Sequence, residues 1–353
     1  MLPPLPIPNC AILLAGGEGK RMKSTRPKVL SPVLFKPMLR WVMDAALGAG
    51  LCDLCVVTGF AHEQVEDYLA QVCMEGLDLR LNIALQPERK GTAHAVQMAH
   101  EFLERHRGAN VLILNGDAPF LSSEAITGAL EEHLDAEHAA TVISAKIPNP
   151  TGYGRIVRKN GGALQAIVEE KDADAQVKAI DEVNSGAYWF SVDDLLSVLY
   201  RIGNDNAQGE YYLPDAVGLL LKDGKQVDAF PAPDPHAILG ANDCVQLQEL
   251  NEIARKALLV SHMKNGVEIP CTDGVMIGPD VQIGRGVCIL PGTILRGDTR
   301  IGDACTLGPN TCLTDTTVKD GMTLASVYAT NTTLDKPVPA FSEIGHPLPV
   351  HPH

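Results

Sequence analysis

The segment AILLAGGEGKRMKSTRPKVL, Ala11 to Leu30, runs from an unbroken apolar stretch into glycines and then into five cations within nine residues: Lys20, Arg21, Lys23, Arg26 and Lys28. The whole chain carries a formal net charge of -14, so this stretch opposes the global sign and marks a place for something anionic. Gly16, Gly17 and Gly19 remove side chains, which lets backbone N–H groups approach a phosphate while the cations neutralise it. Two common phosphate loops do not fit. A Walker A loop read from Gly17 to Ser24 meets Met22 where its second glycine belongs, and a GxGxxG fingerprint meets the same Met22 in place of its third glycine.

Working outward, strand-like runs alternate with helical patterns up to about residue 240. AILLA is followed by a helical MLRWVMDAALGAG, then LCVVTG, EQVEDYLAQV and VLILNGD. This alternation predicts βαβ units on a mostly parallel sheet, an α/β fold whose ligands gather at the carboxyl ends of the strands. A helical stretch intervenes at NDCVQLQELNEIARKALLVSHMKNG. Beyond it an aliphatic residue recurs every six positions, at Ile277, Ile283, Ile289, Leu295, Ile301, Leu307 and Leu313. Two residues before each stands Val or a small side chain: Val275, Val281, Val287, Thr293, Thr299, Cys305 and Thr311. That period predicts a short hexapeptide parallel β-helix with one inward side chain per turn. The expected division is a nucleotide-handling domain over 1–240, a linker helix over 241–268, the β-helix over 269–320 and a proline-rich, poorly ordered tail over 321–353.

A length of 353 residues accommodates about two domains. The acidic balance argues against broad attachment to nucleic acid or anionic lipid. No apolar run approaches the roughly 18 residues of a membrane span, and MLPPLPIPN lacks the basic flank and apolar core of a signal peptide, so a cytoplasmic protein is expected. Nine scattered cysteines do not describe a disulfide framework. Cys52 and Cys55 have CxxC spacing, but no second pair follows, and they read as two ordinary thiols.

The loop LAGGEGKRMKSTRPKVL resembles that of the nucleoside-diphosphate-sugar pyrophosphorylases. The resemblance continues in order through LQPERKGTAHAV, LILNGDAPFL, TGYGRIVR, AIVEEKDAD, EVNSGAYWF and NDNAQGEYYLPDAV. Together these blocks look like the uridyltransferase half of the bifunctional N-acetylglucosamine-1-phosphate uridyltransferase and glucosamine-1-phosphate acetyltransferase family, over nearly all of residues 9 to 320. What this implies is a Rossmann-like nucleotidyltransferase domain followed by a short left-handed parallel β-helix. It also implies that Leu14, Ala15, Gly16 and Gly17 meet the nucleotide and that Arg21 and Lys28 act on its phosphates. By the same matching Gln86, Gly91 and Thr92 hold the uracil, and Asn115, Gly116, Gly154, Glu169 and Asn184 face the sugar. Asp117 and Asn242 are the implied Mg²⁺ ligands. His94, inside the uracil block, reads as structural, because nothing in the reaction needs an imidazole. Two departures bear on sugar selectivity: Asn115 stands where some relatives carry an aromatic, and AND replaces VNN around Asn242.

The implied reaction transfers UMP from UTP to N-acetylglucosamine 1-phosphate, giving UDP-N-acetylglucosamine and pyrophosphate. Partners are then those two substrates, with no nucleic acid and no membrane, and a homo-oligomer, expected as a trimer. Two other readings stay open: a pyrophosphorylase for another sugar phosphate or nucleotide, and a non-catalytic sugar-nucleotide-binding regulatory subunit. No acetyltransferase activity is expected, because the six-residue period is short and the terminal histidines lack a rigid frame.

Overall fold

The computed structural model describes residues 8–159, 162–206 and 208–345. The chain's ends, including the HPLPVHPH segment expected to be poorly ordered, lie outside the described residues at 1–7 and 346–353. Two compact units form. The first holds the chain to Ser31 together with Pro37–Cys244, and the second holds Pro32–Lys36 together with the chain from Val245.

In the first unit the strand Cys10–Ala15 is apolar on both faces, as a central parallel strand must be. Its alternation splits it between two cores. Cys10 and Ile12 point into one, while Ala11, Leu13 and Ala15 point into the other. Helices cover both faces, so each core is a sheet-on-helix layer. Among the described residues the main sheet path runs Val227–Pro231, Ala140–Lys146, Glu182–Ser191, Asn110–Asn115, Cys10–Ala15, Asp53–Thr58 and Arg80–Leu85. All of these neighbours are parallel except Glu182–Ser191, which runs antiparallel to both of its partners. Arg155–Arg158 and Leu164–Val168 form a hairpin that joins through Val183. The mostly parallel α/β sheet expected from the sequence is the one observed.

Chain order reverses at Cys10–Ala15. The chain leaves it for Asp53–Thr58 on one side and returns to Asn110–Asn115 on the other. A crevice therefore opens at the carboxyl ends of those strands. Cys55 lies in the strand Asp53–Thr58, buried in the core, and that burial pushes its thiol up to about 12.

In the second unit, the helix Cys244–Lys264 leads into stacked short parallel strands. Leu259 of that helix shares a core with the inward aliphatics Ile277, Ile289, Leu295, Leu307 and Leu313. Pro32–Lys36 belongs to this unit: the Leu34 N–H donates to Asn251 Oδ1 at 2.9 Å, and Lys36 Nζ donates to Asp280 Oδ1 at 2.6 Å.

The β-helix runs further than expected. Strands at Thr323–Leu324, Tyr328–Thr330, Thr333–Leu334 and Glu343–Gly345 continue the stacks beyond residue 320. The tail expected over 321–353 is therefore β-helix as far as Gly345. Leu295 pairs with Leu313, eighteen residues on, but Leu313 pairs with Ala329 after sixteen and Ala329 with Ile344 after fifteen. The rungs persist while their turns shorten, so a strict count of six loses them. Among the described residues no helix is long and apolar enough to cross a membrane.

Candidate active site

The glycines after Ala15 are in close backbone contact with the neighbouring strand ends. The Gly116 N–H donates to the Leu14 carbonyl at 2.9 Å, and a Cβ on Gly116 would lie 2.9 Å from that oxygen. The Phe60 N–H donates to the Gly16 carbonyl at 3.2 Å, and a Cβ on Gly59 would lie 2.8 Å from Gly16 Cα. Gly17 faces open space. Gly19 has φ +62, and a Cβ there would meet Lys28 Cβ at 2.9 Å, so the turn wraps the lysine stem.

The cation crowd divides accordingly. Arg21, Lys23 and Arg26 are exposed, and the side chain of Lys20 lies outside the description. Lys28 is 8% exposed. Its Nζ is ion-paired with Asp117 and donates to Asn242 Oδ1 at 2.7 Å. Three residues expected at the phosphates and metal thus meet at one ammonium. Gly240 backs the cluster, since a Cβ on it would lie 2.8 Å from the Asp117 carbonyl oxygen.

Two oxygen donors converging on one positive centre, a carboxylate and an amide carbonyl, form a sparse hard-oxygen set of the kind Mg²⁺ takes while keeping waters and substrate phosphates. Among the described residues no three His, Cys, Asp or Glu side chains group to hold a metal by themselves. Asp117 and Asn242 would hold the ion, which would supply positive charge to the phosphates.

Around the expected base site, Gln86 is 5% exposed. Its Nε2 donates to the Gly91 carbonyl at 3.1 Å and to His94 Nδ1 at 3.0 Å. Gly91 adopts φ +108, and a Cβ there would lie 2.5 Å from the Tyr211 carbonyl oxygen, so no other residue fits without displacement. Thr92 Oγ1 accepts from the Leu213 N–H at 2.9 Å, which ties this block to the segment before the helix Pro214–Lys222.

On the expected sugar side, Gly154 lies against Glu169, whose Oε1 would be 2.9 Å from a Cβ on the glycine. The Gly154 carbonyl accepts from the Asn184 N–H at 2.8 Å. Burial, then the charges of Asp172 and Asp215, raises the Glu169 carboxyl above the usual range. Asn184 works locally: its Nδ2 donates to Tyr188 Oη at 2.6 Å, and its Oδ1 accepts from the Gly186 N–H at 3.0 Å. That turn places Gly186, φ +78, directly against the Asn115 amide. Gly59, Gly186, Gly240, Tyr188 and Tyr211 escaped the sequence reading. Gly59 and Gly186 stand inside the quoted stretches LCVVTG and EVNSGAYWF, but the need for a glycine appears only in the contacts.

The nucleotidyl transferase family model matches residues 10–236, and the bacterial transferase hexapeptide (six repeats) model, whose repeats build left-handed parallel β-helices, matches residues 280–315. Among curated relatives, the bifunctional protein GlmU of Caldanaerobacter subterraneus subsp. tengcongensis is 42% identical over 311 residues, covering 88% of this chain and 66% of its own length. The bifunctional protein GlmU of a Geobacillus species is 40% identical over 342 residues, covering 97% of this chain and 70% of its own. This chain thus spans about two thirds of the length of such relatives. A Bacillus anthracis structure assigned as a glucose-1-phosphate thymidylyltransferase shares the fold, with a TM-score of 0.58 at 22% identity over 70% of this chain and 95% of that one. The chain belongs to the nucleotidyl transferase family, within the group whose curated members are bifunctional GlmU proteins.

Proposed function

We propose that the first unit transfers UMP from UTP to N-acetylglucosamine 1-phosphate, releasing pyrophosphate, with Mg²⁺ as its metal. The observation that carries this reading is the junction of Lys28 with Asp117 and Asn242 at the strand ends of a nucleotidyl transferase fold. A phosphate oxygen of the sugar phosphate attacks the α-phosphorus of UTP. One P–O bond forms, the bridging P–O bond to the β-phosphate breaks, and the electron pair leaves with pyrophosphate. The nucleophile is already anionic, so no strong base is required, and catalysis consists of alignment and charge neutralisation. Mg²⁺ held by Asp117 and Asn242 would supply part of that neutralisation. Lys28 holds the metal ligands together and sets a fixed positive charge beside the glycine turn. Arg21, exposed on the turn Lys20–Met22, would reach the phosphates that depart.

Gln86, Gly91 and Thr92 would receive the base, with the Leu14–Gly17 backbone along the nucleotide. Gly154 and Glu169 would offer a carbonyl and a carboxyl to the sugar, while Asn184 shapes the turn that lies against Asn115. The β-helix would assemble copies of the chain, as a trimer, in the cytoplasm. A pyrophosphate-release screen of the four ribonucleoside triphosphates against several hexose 1-phosphates, with and without Mg²⁺, tests the reading. UTP with N-acetylglucosamine 1-phosphate is expected to lead, and only with metal. A clear preference for another pair would overturn the substrate assignment, and no release with any pair would favour the regulatory reading.

A further inference from the structure

We propose that His94 is a positioning residue which holds the Gln86 amide in the orientation that accepts from an imide N–H, and so sets the preference for uracil over cytosine. The inference rests on the base-reading role given to Gln86 above.

The two ends of a glutamine amide are alike in size, so only its neighbours decide which way it points. The Gly91 carbonyl can only accept, and it lies 3.1 Å from Nε2, which places the nitrogen on that side. The second hydrogen of the same nitrogen meets His94 Nδ1 at 3.0 Å. That ring nitrogen must therefore carry a lone pair, with the imidazole proton on Nε2. Both amide hydrogens are then occupied, and Oε1 is the atom left for a ligand. It lies beside Gly16, 3.1 Å from where a Cβ would stand, at the end of the central strand.

Uracil presents an N–H at N3, where cytosine presents a lone pair. An outward Oε1 accepts from the first and repels the second, and an inverted amide would reverse the match. Inversion would press Oε1 against two acceptors, the Gly91 carbonyl and the His94 lone pair. The carbonyl opposes inversion in any case, and the imidazole opposes it while its proton stays on Nε2. Around the ring stand Lys90 and Glu88, paired with each other at 2.5 Å, and Tyr211, whose ring centroid is 6.5 Å away. Burial first, then the Lys90 charge, lowers the tendency of His94 to protonate, which keeps Nδ1 an acceptor.

The test compares kcat and KM for UTP and CTP in the unaltered enzyme, His94→Leu, His94→Asn and Gln86→Leu. Losing one neutral hydrogen bond should reduce the UTP-over-CTP ratio of kcat/KM about tenfold in His94→Leu. The change should fall on KM for UTP, and His94→Asn, which returns an acceptor oxygen near the Nδ1 position, should recover most of it. A ratio unchanged in His94→Leu but lost in Gln86→Leu overturns the role of His94 alone. A ratio unchanged in Gln86→Leu overturns the base-reading role itself. Independently of any leucine variant's folding, the ¹⁵N spectrum of histidine-labelled protein, assigned by difference with His94→Asn, should show the Nε2–H tautomer at neutral pH. Finding the Nδ1–H tautomer would overturn the proposal.

Discussion

Lys28 is an ammonium that folding has taken out of water, and such a charge persists only where partners replace its hydration. Asp117 and Asn242 are those partners, so altering any of the three has two consequences: a change in the charge offered to phosphates and a change in what is left buried. Asp117→Asn keeps an oxygen for the ammonium but removes the carboxylate a hard divalent ion requires. Turnover is expected to fall about 100-fold or more with the fold intact, on the scale of single electrostatic groups in other active sites. Near-normal turnover at saturating Mg²⁺ would take Asp117 out of the metal site. Arg21 is exposed, so Arg21→Ala should leave the unfolding midpoint unchanged and lower kcat more than it raises KM. An effect confined to KM for the sugar phosphate would assign the arginine elsewhere. Gly91→Ala meets both a φ of +108 and the Tyr211 backbone, and steric strain of about 1–3 kcal/mol should appear as lower stability together with weaker UTP binding. Unaltered calorimetric unfolding and UTP affinity would contradict that contact.

Among the elements, those with local causes were the legible ones. AILLA announces a central strand because every side chain in it is apolar, and the hexads announce a β-helix because each eighteen-residue coil holds three of them. The rungs after Leu313 obey the same physics with shorter turns: Val318 follows after five residues, and Leu324 is fully buried although it lies past the point where the count fails. Motif order singled out the glycine-rich loop of the candidate site, but not the partners that meet Lys28 there, since Lys28 and Asn242 are 214 positions apart. The contacts of Gly186 with Asn115 and of Gly240 with Asp117 also join residues far apart in sequence. Leu324→Ala separates the two accounts of the C-terminal segment. As a core residue of a rung it should destabilise the second unit by about 2–5 kcal/mol in denaturant unfolding. A segment without packed structure would show no change.

At the scale of the whole molecule, stability should depend on pH through a network at the amino end of the sheet, away from the candidate site. Asn110 is pinned by Asn9, whose Oδ1 accepts from both its backbone N–H and its Nδ2. Its Oδ1 therefore faces His133 Nε2, at 3.2 Å, and accepts from it. The other ring nitrogen of His133 then accepts from the Thr141 hydroxyl at 3.0 Å, and that hydroxyl accepts in turn from His138 Nδ1 at 3.0 Å. His133 is 2% exposed with every position in this chain satisfied in its neutral form, and burial, then His138, lowers its pKa to about 4. Because the folded value lies below the unfolded 6.5, the unfolded chain binds the extra proton between the two values. Stability from this residue is complete above 6.5 and is lost as pH falls toward 4, by about 3 kcal/mol. His94 and His262, also lowered, act in the same direction. Glu169 and Asp215 act against it, because their raised carboxyls take up protons in the folded state first. The network is isolated by comparing urea unfolding of the unaltered protein and His133→Gln between pH 7.5 and 4.5. The variant is less stable at neutral pH, where the hydrogen bonds are lost, but it should show a shallower decline on acidification. Parallel declines in the two proteins would mean that His133 does not govern the acid limb.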